Sequence, residues 1–314
     1  MKFYEKELRA VFGETLVELG REFPRLVVLD ADLNTSTRTV LFQQAFPQRF
    51  VQCGIAEANM FGVAGGLAAE GFIPHVATFA TFACKKAADQ VYMNAAYPRL
   101  NVKIPGAYPG MTATECGPSH NVAEDIAIMR AMPHMQVFDF GDNVELASAL
   151  RVLTLTDGPM YYRVPKIKAP VLFSPGHEFV IGQGHVLREG RHLALLGTGL
   201  TTALCLAAAE LLERDGITAT VVHMPSIKPI DDDLIVECAR QFPLLVTVEN
   251  HRIHGGFGSA VAEVTADRQP VRVERIGLGE TVFESAPLAH LIEHYGLCPR
   301  AIATRCEDAL RANA

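Results

Sequence analysis

The feature that most constrains this chain is a rhythm of short apolar runs alternating with stretches of helical periodicity. Leu26-Val27-Val28-Leu29 ends in Asp30-Ala31-Asp32, and comparable runs recur near 49–53, 73–78, 101–106, 135–140 and 159–164. Helical stretches fall between them at about 57–70, 81–97, 123–131 and 143–155. An amphipathic helix over 5–22 precedes the series, with Leu8, Val11, Leu16 and Leu19 on one face. Strands alternating with helices predict an α/β fold with a mostly parallel sheet covered on both faces. Open parallel sheets bind ligands at the carboxyl ends of their strands, which is where the acids at 30 and 32 fall.

The rhythm breaks over 165–190, where Pro165, Pro170, Pro175 and several glycines leave little periodicity, so this stretch reads as an interdomain connection. A second unit begins at Leu193, with strands near 193–197, 217–223, 244–248 and 271–276 and helices at about 199–213, 231–240 and 256–267. The expected organisation is two α/β domains, 1–175 and 176–314, as a chain of 314 residues suggests. The net charge of -7 and the lack of a Lys/Arg-rich tract argue against nucleic acid and acidic membranes as partners. The charged N-terminus is no secretory signal, and no run approaches the length of a membrane span. Seven scattered cysteines without a CxxC pair read as reduced thiols, and the expected location is cytoplasmic.

Several positions invite a chemical reading. Glu57, in Gly54-Ile55-Ala56-Glu57-Ala58-Asn59-Met60, opens a helix that is apolar almost all round. An acid in the first turn often does no more than complement the helix dipole. A helix apolar on every side is expected to be buried, however, and a desolvated carboxylate at its start is a candidate acid-base group. Phe79 and Phe82 enter the next helix three residues apart, and core packing is the default for such rings. The loop 105–121 carries Glu115-Cys116-Gly117-Pro118-Ser119-His120 and leads into Glu124-Asp125. Asp32 and Ser36 lie where an Asx-type turn would suffice. Arg163, in Tyr161-Tyr162-Arg163-Val164-Pro165, is either a strand-end surface charge or an anion ligand.

Together these segments resemble the thiamine-diphosphate-dependent transketolases. GIAEANM and the later Thr78-Phe79-Ala80-Thr81-Phe82 are similar to the family's pyrimidine-binding domain. GTGL at 197–200, SIKPID at 226–231 and ENHRIHGGFG at 249–258 resemble its C-terminal domain, so the likeness runs along essentially the whole chain. The resemblance implies that Glu57 hydrogen-bonds the cofactor's aminopyrimidine, that Phe82 stacks on that ring with Phe79 beside it, and that Lys85 and Asp32 lie near the cofactor. It also implies that His120, in the counterpart of the family's GPTH segment, is a catalytic residue contacting substrate oxygens, while Ser36 and Arg163 hold substrate phosphate. His251, His254 and the nearby glycines tempt a metal or phosphate reading, but in the family this segment is structural and contributes to subunit contacts.

Two positions depart from the family pattern: an aspartate that contacts a substrate hydroxyl is Cys116 here, and a second substrate histidine is Tyr108. A site that hydrogen-bonds a hydroxyl discriminates strongly when that partner changes, so a non-standard sugar phosphate is the expectation. The family's diphosphate and magnesium motif, GDG with an asparagine further on, is also not found, because Gly141-Asp142-Asn143 lacks the second glycine. The resemblance therefore implies a separate GDG-containing N-terminal subunit of roughly 270–300 residues that holds the diphosphate and Mg2+, in an α2β2 heterotetramer. The alternatives are the beta subunit of a 2-oxo-acid dehydrogenase, a deoxyxylulose-phosphate synthase-like enzyme, and a non-catalytic scaffold.

Overall fold

The structure, a computed structural model, describes residues 2–280 and 282–313. The chain forms two α/β domains, each built on a mostly parallel sheet flanked by helices. In the first sheet the strands run Gln136–Asp139, Met160–Val164, Lys103–Ala107, Ile73–Phe79, Leu26–Asp30, Phe50–Gln52, all parallel. After Leu26–Asp30 the chain adds Phe50–Gln52 on one side and Ile73–Phe79 on the other, so the sheet has a switch point between its first and third strands in chain order, Leu26–Asp30 and Ile73–Phe79. Such a reversal opens a crevice at the carboxyl ends of the two diverging strands. The second sheet runs Arg272–Leu278, Leu244–Arg252, Leu193–Gly197, Ala219–His223, His185–Arg188, with the last strand antiparallel.

The expected elements are present, with three differences. The first helix starts at Leu8, because Phe3–Glu7 is extended and pairs with Lys168–Pro170. The stretch 165–190 is not irregular throughout, since it supplies both that partner strand and the edge strand His185–Arg188 of the second sheet. Strands of three to four residues are too short to show a period. Finally, the helix expected over 81–97 is broken into a π-helical turn at Phe82–Lys86, an α-turn at Ala88–Val91 and a second π-turn at Tyr92–Ala96.

The two domains share a core. One buried cluster runs from Val27, Leu29 and Met60 under the first sheet through Ile126 and Met129 to Leu196, Leu245 and Phe257 of the second domain. Ser226–Lys228 leaves the second domain to pair antiparallel with Gln136–Asp139, extending the first sheet at its edge. The relative position of the domains therefore rests on packing and on backbone hydrogen bonds.

Candidate active site

Most of the expected site residues converge at the carboxyl ends of the strands beside the switch point. The turn after Leu26–Asp30 carries Ser36, Ile73–Phe79 ends on Phe79 and leads to Phe82, and Lys103–Ala107 is followed by Tyr108 and the loop bearing His120. Phe79 and Phe82 lie nearly parallel, with centroids 5.7 Å apart. The His120 ring stands edge-on to both, at 5.7 Å and 5.4 Å. Tyr108 packs on Phe79 at 4.6 Å from the other side. Ser119 Oγ lies 2.8 Å from His120 Nδ1, which leaves Nε2 as the nitrogen to meet a ligand.

Glu57 is the first residue of the helix Glu57–Ala69, whose N-terminal dipole end favours a carboxylate. Its side chain is buried to 1% exposure. Lys86 Nζ forms an ion pair with Oε2 at 2.5 Å, the one charged partner of this carboxylate among the described residues. Lys86 Nζ also lies 5.7 Å from the Phe82 ring centroid, so this lysine links the carboxylate to the aromatic group.

Lys86 was not anticipated. In a regular helix Phe82 has neighbours three and four residues on, at Lys85 and Lys86. The wider π-turn, closed by the Ala87 amide donating to the Phe82 carbonyl at 3.0 Å, favours the residue four on. Lys85, expected near the cofactor, pairs instead with Glu124 Oε2 at 2.8 Å. Arg9 was also missed, since nothing in the first helix marks it. Its Nη1 donates to Tyr108 Oη at 2.6 Å and to the Ser36 carbonyl at 3.0 Å, tying helix, turn and loop together. Burial pushes the Tyr108 phenol up, and the Arg9 charge offsets this only in part. Tyr108 also holds a left-handed φ of 57°, a strained conformation for an aromatic residue at the edge of a site.

Three expectations need correcting. The helix beginning at Glu57 is not buried all round: Asn59, Gly62, Val63 and Gly66 are exposed, so its apolar outer face is uncovered in this chain. Arg163 is not free to meet a phosphate in this structure, because its guanidinium is 1% exposed and engaged on several sides. It donates to both oxygens of Asp125 at 2.8 Å and 2.5 Å, to Asp139 at 3.0 Å and to the Asn250 carbonyl at 3.2 Å. Burial alone would raise the Asp125 carboxyl, but Arg163 outweighs it and holds the group below its usual range. Asp32 is exposed, with its amide on Gln52 Oε1, and the acid that organises the turn is Asp30. Buried Asp30 accepts from the Leu33 amide and from the hydroxyls of Thr37 and Thr39, and burial pushes its carboxyl up.

The other motifs have structural tasks. Asp142 caps the helix Asn143–Leu155 and accepts the Leu172 and Phe173 amides, each at 2.9 Å. The amides of Phe257 and Gly258, which open the helix Phe257–Arg268, donate to Glu249 at 2.7 Å and 2.9 Å. Cys116 is exposed on the loop that leads to His120.

Residues 5–171 match the family described as transketolase, pyrimidine binding domain, and residues 182–302 match transketolase, C-terminal domain. A putative transketolase C-terminal section of Methanocaldococcus jannaschii is 40% identical over 98% of this chain and 97% of its own length. A 6-deoxy-6-sulfo-D-fructose transketolase subunit of a Clostridium species is 38% identical over 98% of this chain and 96% of its own. Among solved structures, a split-gene transketolase described as an inactive β4 tetramer superposes with a TM-score of 0.91 at 43% identity, covering 98% of this chain and 99% of that one.

Proposed function

The chain belongs to the transketolase family, and we propose that it is the C-terminal subunit of a split transketolase, moving a two-carbon ketol unit between sugar phosphates once a second subunit completes the site. The observation that carries this reading is the buried Glu57 carboxylate, paired only with the half-exposed Lys86 among the described residues, close to the stacked pair Phe79 and Phe82. Thiamine diphosphate fits these residues: a flat heteroaromatic ring matches Phe79 and Phe82, and a nitrogen at its edge matches Glu57 Oε2. When bound, that cofactor supplies the electron sink for the transferred unit.

The protein's own part is to position, shield and move protons. Glu57 would hold the aminopyrimidine through a hydrogen bond at Oε2, with Lys86 balancing its charge before the ligand arrives. His120 would hold or deliver a proton at Nε2 to a substrate oxygen, kept edge-on by the two phenylalanines. Tyr108, Ser36 and Arg9 form the wall where the substrate's remote end would lie.

The second subunit would supply the GDG motif, the diphosphate contacts and Mg2+. The uncovered outer face beside the site supports this, since Ile55, Val63, Tyr92, Met93 and Tyr97 are all exposed there. Gly62 and Gly66 have open space where a Cβ would be, which leaves room for close approach. Tyr108 and Cys116 support a substrate other than the common pentose phosphates, and the relative named for 6-deoxy-6-sulfo-D-fructose makes a modified ketose a reasonable first choice. Full transketolase rates on xylulose 5-phosphate with ribose 5-phosphate would argue against this specificity.

The test of the catalytic reading is Glu57→Gln in the complex with the second subunit. Activity should fall on the order of 10²–10⁴-fold while assembly is kept. Unchanged activity would instead make the chain a scaffold.

A further inference from the structure

Away from the transketolase site, the segment joining the two domains holds a cluster that none of the chemistry above uses. Glu145, His177 and His185 each offer one ligand atom, and these atoms lie within 4.8 Å of one another. Glu145 Oε1, His177 Nε2 and His185 Nε2 are buried atoms with no hydrogen-bonded partner among the described residues. Glu145 is wholly buried, and its Oε1 stands 4.0 Å from His177 Nε2, too far for a hydrogen bond. Three ligand atoms without hydrogen-bonded partners among the described residues thus converge on one spot.

The surroundings resemble the supporting shell of a metal site. The other oxygen of Glu145 accepts from the Gly141 amide at 2.7 Å and lies 2.9 Å from His223 Nε2. His223 Nδ1 in turn lies 2.7 Å from Thr202 Oγ1. Phe173 stacks on His177 at 3.9 Å and stands edge-on to His185 at 5.4 Å, fixing both rings. Two imidazoles with one carboxylate suit zinc and its neighbours rather than magnesium or calcium, which prefer oxygen donors. In a tetrahedral site, ligands about 2.0–2.2 Å from zinc stand roughly 3.3–3.6 Å apart, so movements on the order of 1 Å by the two imidazoles bring all three into range.

We propose that Glu145, His177 and His185 bind a zinc-type divalent ion, leaving a fourth position for water. The site joins three parts of the molecule: the helix Asn143–Leu155 of the first domain, the connecting segment, and the edge strand His185–Arg188 of the second sheet. Its role is structural, and it does not depend on the transketolase reading.

Zinc content of the full-length chain, incubated with Zn2+ and desalted, measures the site directly by plasma mass spectrometry. One ion per chain is expected. His177→Ala and His185→Ala should each lose it, and the zinc-induced rise in Tm should vanish with it. The exposed trio Glu284, His290 and His294 is the rival, so the double variant His290→Ala/His294→Ala should keep the ion. Wild-type protein without zinc after this treatment overturns the proposal whatever the variants do. So does retention of the ion by folded His177→Ala and His185→Ala proteins, or its loss from the His290/His294 variant.

Discussion

Glu57 and Arg163 show how differently two charges of one site-like region can be employed. Both are 1% exposed, but Glu57 meets only the half-exposed Lys86 among the described charged groups, whereas Arg163 is held on three sides. Replacing Arg163 by leucine would leave Asp125 and Asp139 buried without their counter-ion. Urea denaturation should show a loss of about 3–5 kcal/mol, as expected when one partner of a buried ion pair is removed. A substrate-specific rise in KM with unchanged stability would restore the phosphate role. Motif matching could not separate these fates, since an arginine near a strand end looks the same in sequence whether it meets phosphate or two aspartates. The aspartates lie 38 and 24 residues away. A third residue, His75, sets an acid limit on the fold. Burial, helped by the Lys103 charge, pushes its imidazole down to about 3, and it sits neutral against Tyr162 Oη at 3.0 Å. The unfolded chain takes up this proton near pH 6.5. The stability His75 contributes is therefore complete above about pH 6.5 and drains away as pH falls toward about 3. In wild-type protein, denaturation midpoints followed from pH 7 to 4 should fall; in folded His75→Asn protein the slope should be shallower.

At the level of elements, the helix Glu57–Ala69 and the π-turns that follow define the region. The apolar pattern of this helix is plain in the sequence and predicts burial on every side. The structure buries Glu57, Met60, Phe61, Ala64 and Ala68 but leaves Gly62, Val63 and Gly66 uncovered. An apolar face reads the same in sequence whether it meets its own domain or another chain. The π-turn was not legible, because residues 81–97 are compatible with an ordinary helix and the insertion depends on tertiary packing. Substitution at Gly62 separates the two uses of this face. Gly62→Ala should stabilise the isolated chain by roughly 0.5–1 kcal/mol, since Ala is the better helix former and meets no neighbour. Gly62→Leu should weaken association with the second subunit, read by size-exclusion chromatography of the mixture. Unimpaired assembly of Gly62→Leu would move the docking surface elsewhere.

For the whole molecule, alternation of strands and helices made the two-domain α/β architecture legible, and the carboxyl ends of the strands pointed to the site. What escaped were pairings between distant short segments: Phe3–Glu7 with Lys168–Pro170, and Ser226–Lys228 with the edge of the first sheet. Neither leaves a local period; the first ties the N-terminus to the start of the connecting segment, and the second joins the two domains into one frame. That frame presents Glu57, Phe82 and His120 on one side, with an apolar surface beside them. The central claim is that this frame is half of an active site. Its most direct test is the transketolase rate of a fixed amount of this chain, with thiamine diphosphate and Mg2+, as a GDG-containing second subunit is titrated in. The rate should be at background for either chain alone and rise to a plateau near one second subunit per chain. Turnover by this chain without its partner, or none at any ratio of two folded and associated subunits, would contradict the account.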